Sequence, residues 1–189
     1  MQHLLFRKIA ADEIDIVHGI YNEVFDWLKA KSIRQWLTPK SREFFEDFRR
    51  KDRLYGLFAG DGLAAFAALS PEMPPHWAGE TDIAGGAWVH RLTLNPRLRG
   101  QGIGALLVRH LIALARENGA SHICLDAVDN EGVMPAYYEN CGFQRRKAAA
   151  VTYPNGNTFP VVFLDMRLSA PEATPARRLR GCGYEAPQF

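Results

Sequence analysis

The chain has 189 residues, 47% apolar and 23% charged, with a formal net charge of +2. That length suits one domain with a sizeable core, and the charge is too small to single out nucleic acid or an anionic membrane as a partner. No apolar run approaches the ~20 residues that span a bilayer.

The opening MQHLLFRKIAADE reaches Arg7, Lys8, Asp12 and Glu13 after a short apolar patch and does not read as a secretory leader. His3 to Ile9 mixes apolar and polar residues as an edge strand does. Asp12 can cap a helix carrying Ile14, Val17, His18, Tyr21, Val24, Phe25 and Leu28 at helical spacing. A second helix is expected from Ser41, with Phe44, Phe45 and Phe48 on one face. Gly60-Asp61-Gly62 predicts a hairpin between Leu54–Ala59 and Leu63–Leu69. Residues 71–86, rich in Pro and Gly, read as a loop, and Ala87–Leu94 as a strand.

Asn95–Asn118 carries a glycine-rich turn and then a helix with Ile103, Leu106, Leu107, Leu111 and Leu114, capped by Gly119. A strand at His122–Ala127, a short helix at Val133–Asn140 and two strands around a turn at Pro154–Asn157 complete the pattern. The tail from Ser169 to Phe189 shows no periodicity. Cys124, Cys141 and Cys182 are odd in number, with no CxxC pair. They argue against a zinc site or disulfide framework and for free thiols in a reducing, cytoplasmic setting.

The turn Arg99-Gly100-Gln101-Gly102-Ile103-Gly104 lies between a strand and an amphipathic helix. Glycine at every second position lets the backbone turn sharply and bring several N–H groups to one point. The helix starts there, so its unpaired N–H groups and positive dipole end face the same point. This is an anion site suited to a pyrophosphate, with Arg97 and Arg99 beside it. The Lys-Ser or Lys-Thr of a Walker loop is absent, and a GxGxxG dinucleotide spacing is not present.

These residues match the [QR]-x-x-G-x-[GA] signature of the GNAT superfamily of N-acetyltransferases. VHRLTLNP (Val89–Pro96) resembles that family's fourth strand, and Ala136-Tyr137-Tyr138-Glu139-Asn140-Cys141-Gly142-Phe143 resembles its LYExxGF segment, with Asn130 upstream. The resemblance implies an α/β (α+β) fold: a mixed, splayed sheet of about seven strands with four helices, in the order β-αα-βββ-α-β-α-ββ. It covers residues 1–168 as an acetyltransferase domain, leaving 169–189 as an extended or loosely ordered tail.

The resemblance also implies the donor, acetyl-coenzyme A, and needs no metal. Backbone groups of Leu92, Thr93 and Leu94 would bind the pantetheine arm, and one N–H there would stabilise the oxyanion. The N–H groups of Arg99, Gly100, Gln101, Gly102, Ile103 and Gly104 would hold the pyrophosphate, and Asn130 would bond the cofactor near the pantetheine. Tyr138 would stand by the sulfur as general acid. On a helix Tyr137 points about 100° away from it.

The fourth strand carries no carboxylate, so His90 is its titratable group near neutral pH and the first base to consider. Simple alternation puts it on one face with Leu92 and Leu94, and Val89 and Arg91 on the other. Glu80, Asp82, Asp126 and a water are its rivals. Cys124 and Cys141 read as packing residues.

The acceptor end draws on Trp27, Trp36, His76, Trp77, Trp88, Tyr153 and Phe159, aromatics suited to an apolar pocket or to cupping a cation, with ordinary core or surface packing the alternative for each. The function expected is acetylation of a primary amine on a small molecule or a peptide N-terminus in a ternary complex, with a homodimer compatible. A non-catalytic acyl-coenzyme A sensor is the alternative. Arg177, Arg178 and Arg180, beside Glu172 and Glu185, are too weak a footprint to imply nucleic acid.

Overall fold

Strands and amphipathic helices in this order bury their apolar faces by packing helices on both sides of a sheet. The structure is a computed structural model and describes residues 4–36, 38–153 and 156–169. The tail, with Cys182 and its arginines, lies outside those residues, as do Pro154 and Asn155 of the final turn. The elements are β1 (Leu4–Lys8), α1 (Ile14–Ala30), α2 (Arg42–Arg50), β2 (Leu54–Ala59), β3 (Gly62–Ser70), β4 (Ala87–Leu94), α3 (Ile103–Glu117), β5 (His122–Val128), α4 (Val133–Asn140), β6 (Gln144–Thr152) and β7 (Thr158–Arg167). They form one seven-stranded sheet, ordered β1-β2-β3-β4-β5-β7-β6. Only β4 and β5 run parallel; the other neighbours are antiparallel.

Local signals explain most boundaries. Ser41 caps α2 by accepting from Phe44 N (3.3 Å). Gly60, at φ 58°, makes the tight turn between Ala59 and Gly62, which pair directly. At α1 the cap is not Asp12. The chain enters through a short 3-10 turn, Ala11–Glu13, which brings the Glu13 carboxylate back to accept from Ala10 N (2.8 Å), with Arg7 paired to it (2.6 Å).

One face of the sheet packs Leu57, Ala65, Leu125 and Leu164 against Leu107 and Leu111 of α3. The other packs Phe66 and Leu54 against Ile14, Val17 and Tyr21 of α1 and Phe45 of α2. A third cluster lies beneath residues 71–86, a segment that is more than a surface loop. It contains two 3-10 turns, Pro75–Trp77 and Thr81–Ile83, and buries Trp77 and Ile83 against Trp88, Cys124 and Phe163. Trp77 and Trp88 are therefore core residues, not pocket walls. None of the described helices is long and apolar enough to cross a membrane.

Candidate active site

β4 and β5 pair only through Ala87↔Ile123 and Trp88↔Cys124, although β4 runs on to Leu94 and β5 to Val128. Beyond that point the strands part, leaving main-chain groups on two facing edges without a ladder partner. A cavity of about 470 Å³ opens there, with Val89, His90, Arg91 and Leu92 on one wall and Leu125, Asp126 and Val128 on the other.

A bulge in β4 shapes this wall. Ala68 pairs with His90 but Phe66 pairs with Thr93, so β4 holds one residue too many opposite β3. Arg91 absorbs the excess at φ 54°. Buried Thr93 donates its hydroxyl to the Arg91 carbonyl (2.8 Å). A bulge reverses the alternation of side chains beyond it. Leu92 and Leu94 accordingly join Val89 in the core beneath α3. His90 instead meets the Phe48 ring at 5.8 Å, and Arg91 lies over Trp36 and Phe44. The placement of His90 with Leu92 and Leu94, and of Arg91 on the opposite face, is thus corrected.

The glycine turn follows β4. Gly100 (φ 76°) and Gly102 (φ 73°) are both left-handed, and Gly102 directly precedes α3, its carbonyl accepting from Leu106 N (3.1 Å). The space where a Cβ would stand is open at both. Gly104 differs: a Cβ there would come within 2.6 Å of the Tyr137 hydroxyl, so its smallness serves the α3–α4 contact. Arg99 stacks on Trp27 at 3.7 Å, and Arg97 lies 3.6 Å from Glu23. Just before α4, the side-chain nitrogen of Asn130 is buried with no hydrogen-bond partner among the described residues.

Tyr138 lines the cavity and is 7% exposed. Burial raises its hydroxyl far above the ordinary tyrosine range, so it stays protonated. Burial pushes Tyr137 up to about 12. Burial lowers His90, which leaves the imidazole neutral at neutral pH.

Asp126 is the centre of a network. Its Oδ1 accepts from His76 Nε2 (3.0 Å) and Trp77 Nε1 (3.4 Å), and its Oδ2 from the Tyr153 hydroxyl (3.1 Å). Burial pushes this carboxyl up, but the interactions from His76, Tyr153 and Trp77 outweigh burial and hold it below the ordinary range. It is a stable carboxylate and a weak base.

Glu80 and Asp82 do not line the cavity. Arg146 grips both oxygens of Asp82 at 2.7 Å, Glu80 at 3.2 Å and Asp165 at 3.2 Å, and Lys147 also pairs with Glu80. Hydrogen bonds from Lys147 to Glu80 and from Arg146 to Asp82 hold both carboxyls low. Burial pushes the Cys124 thiol up to about 12 and raises Cys141, so neither is a ready thiolate. Lys40, Phe44, Phe48 and Arg91 also line the cavity. Sequence reasoning missed them as site residues: nothing marks Lys40, and only the bulge turns Arg91 inward.

The sequence profile of the Acetyltransferase (GNAT) family matches residues 21–143. The chain belongs to the GNAT acetyltransferase family. It is 37% identical over 71 residues to streptothricin acetyltransferase of Streptomyces lavendulae, 35% of this chain and 38% of that enzyme. It is 22% identical over 149 residues to the uncharacterized N-acetyltransferase YesJ of Bacillus subtilis, 75% of this chain and 82% of that protein. A GNAT-family acetyltransferase from Listeria monocytogenes superposes with a TM-score of 0.70 at 18% identity, covering 87% of this chain and 95% of that one. The yncA protein of Salmonella typhimurium, solved with its cofactor acetyl-CoA, superposes with a TM-score of 0.68 at 14% identity, covering 90% and 99%.

Acetyl-coenzyme A, the donor that the family resemblance implies, is the cofactor held by the yncA protein. The observed features fit that ligand. The parted strands offer free main-chain edges to an extended arm, the left-handed glycines leave open space before α3 for a diphosphate, and Asn130 has a buried amide without a hydrogen-bond partner among the described residues.

Proposed function

We propose that this acetyltransferase moves the acetyl group of acetyl-coenzyme A to a primary amine of a small molecule, by direct attack within a ternary complex. The observation that carries the reading is one cavity uniting the parted edges of β4 and β5 with Asp126, His90 and Tyr138. Leu92, Thr93 and Leu94 present main chain to the pantetheine arm, and Asn130 bonds it. The N–H groups of Arg99, Gly100, Gln101, Gly102, Ile103 and Gly104 receive the diphosphate.

Asp126 is a carboxylate within an aromatic surround, His76, Tyr153 and Phe159. It holds the incoming ammonium by charge. Neutral His90 takes the proton that must leave nitrogen before attack. His90 also borders a second hollow with Ser70 and Glu72, which gives that proton an exit. As the carbon–nitrogen bond forms, a β4 main-chain N–H steadies the oxyanion. Tyr138 then donates to the departing sulfur. The nitrogen sheds its second proton, which restores the phenol.

The test is a panel of amines, streptothricin included because of the relative that bears its name, with thiol release and product mass as readouts. Acetylated amine with one thiol released per product supports the reading. Tight coenzyme A binding with no amine acetylated would sink it.

A further inference from the structure

The cavity is electrically lopsided. Asp126 stands at one end, and Lys40 and Arg91 line the wall beside α2. Arg7, Arg42, Arg49, Arg53 and Arg146 each pair with a carboxylate. Among the described residues Lys40 and Arg91 pair with none. Their neighbours are rings: Lys40 Nζ lies 5.1 Å from the Phe44 ring, and Arg91 lies 5.7 Å from Phe44 and 5.8 Å from Trp36. Burial and then the charge of Arg91 both lower the Lys40 ammonium, so the two cations share surroundings that water does not fully screen. A single anion between them would relieve that repulsion. A guanidinium and an ammonium together suit a carboxylate.

We infer that the acceptor is an amine that also bears an anionic group, a carboxylate in the simplest case, with the anion on Lys40 and Arg91 and the ammonium toward Asp126. The hydrocarbon between them lies along Trp36, Phe44 and Phe48. A cavity of about 470 Å³ is of the size that small ligands occupy. The inference rests on the amine-acetylation reading and narrows it to zwitterionic acceptors.

The test is calorimetry on the full chain saturated with coenzyme A. The probes are straight-chain ω-amino acids of graded length, each paired with its carboxamide. The expected result is at least one acid bound about 10-fold or more tightly than its carboxamide. Arg91→Gln and Lys40→Gln should each bring that ratio toward one. Arg91 occupies the bulge, so melting curves accompany its variant; if that variant unfolds, Lys40→Gln carries the test. Acids and carboxamides bound alike, or no acid bound, overturns the inference. Thiol release on the same ligands separates the two readings. Acid-selective binding with no acetylation removes amine acetylation and leaves the anion site. Acetylation of amines without acid selectivity does the reverse.

Discussion

Around residues 99–104 the protein presents main chain, held by two left-handed glycines and the first turn of α3. Around Asp126 it presents side chains, gathered from the segment before α2, from α2 itself, the 71–86 segment, β4, β5 and the β6–β7 pair. The first end is made by a few consecutive residues and, on the proposed reading, receives the diphosphate that all coenzyme A thioesters share. The second is made by long-range packing and can change its ligand one side chain at a time. Damage to the turn should therefore show as lost donor affinity, and damage near Asp126 as lost acceptor selectivity, with the chemistry between them.

The largest effect is expected where the two ends meet. On the proposed mechanism Tyr138→Phe removes the proton for the leaving thiolate while keeping the ring in its pocket. Turnover should fall by about 100-fold, within the range typical of a general acid, with coenzyme A affinity by calorimetry nearly unchanged. An equal loss in both would make Tyr138 a binding residue.

Asp126→Asn keeps the shape and removes the charge. Hydrogen bonds to charged groups are worth about 1.5–3 kcal/mol, so the acceptor KM should rise by about 10- to 100-fold with the donor KM unmoved. A donor-side effect would erase the division between the ends. Gly102→Val probes the opposite end. No side chain fills the space there, so the strain comes from the φ of 73°, a left-handed conformation costing about 1–2 kcal/mol. Coenzyme A should bind about 5- to 30-fold more weakly, from that strain and from crowding of the diphosphate, while selectivity among acceptors stays fixed.

The same contrast decides what the sequence made legible. The order of elements, the α2 cap, the hairpin at Gly60 and the glycine turn are local, and each has a local physical cause. The bulge at Arg91 is not local. It arises because β3 and β4 disagree by one residue, and VHRLTL carries no glycine to announce it. That one residue keeps Arg91 on the face of His90, toward α2, and sends Leu92 into the core. Trp77 in the Pro- and Gly-rich stretch and Trp88 on β4 stay open between pocket wall and core until β5 and β7 are packed against them. Asp126 could be named from its strand, but its partners His76 and Tyr153 lie 50 and 27 residues away.

His90 gives a pH signature. Burial lowers its folded-state value, so kcat/KM should climb as pH rises through a midpoint below the ordinary histidine range and then level off. His90→Gln should remove that acid limb. Stability runs in the same direction. The folded imidazole binds its proton less readily than the unfolded one, so the native state loses stability as pH falls from the ordinary histidine value toward the lowered one. A limb that survives in the variant would assign the base elsewhere.

The smallest effect should come from Arg146, which ties Glu80 and Asp82 of the 71–86 segment to β6 and thereby backs the residues that hold Asp126. The Asp82 side chain is 65% exposed, so that ion pair contributes about 0–1 kcal/mol, whereas the pairs with Glu80 and Asp165, at 18% and 11% exposure, cost more to break. Trp77 and Ile83 of the same segment are fully buried, and burying one such side chain is worth about 1.5–3 kcal/mol. Apolar packing should therefore keep the segment seated without the arginine. Arg146→Gln should raise the acceptor KM by about 2- to 3-fold, with turnover and coenzyme A affinity unchanged. A tenfold rise in the acceptor KM would mean that charge, not the buried tryptophan, holds His76 against Asp126.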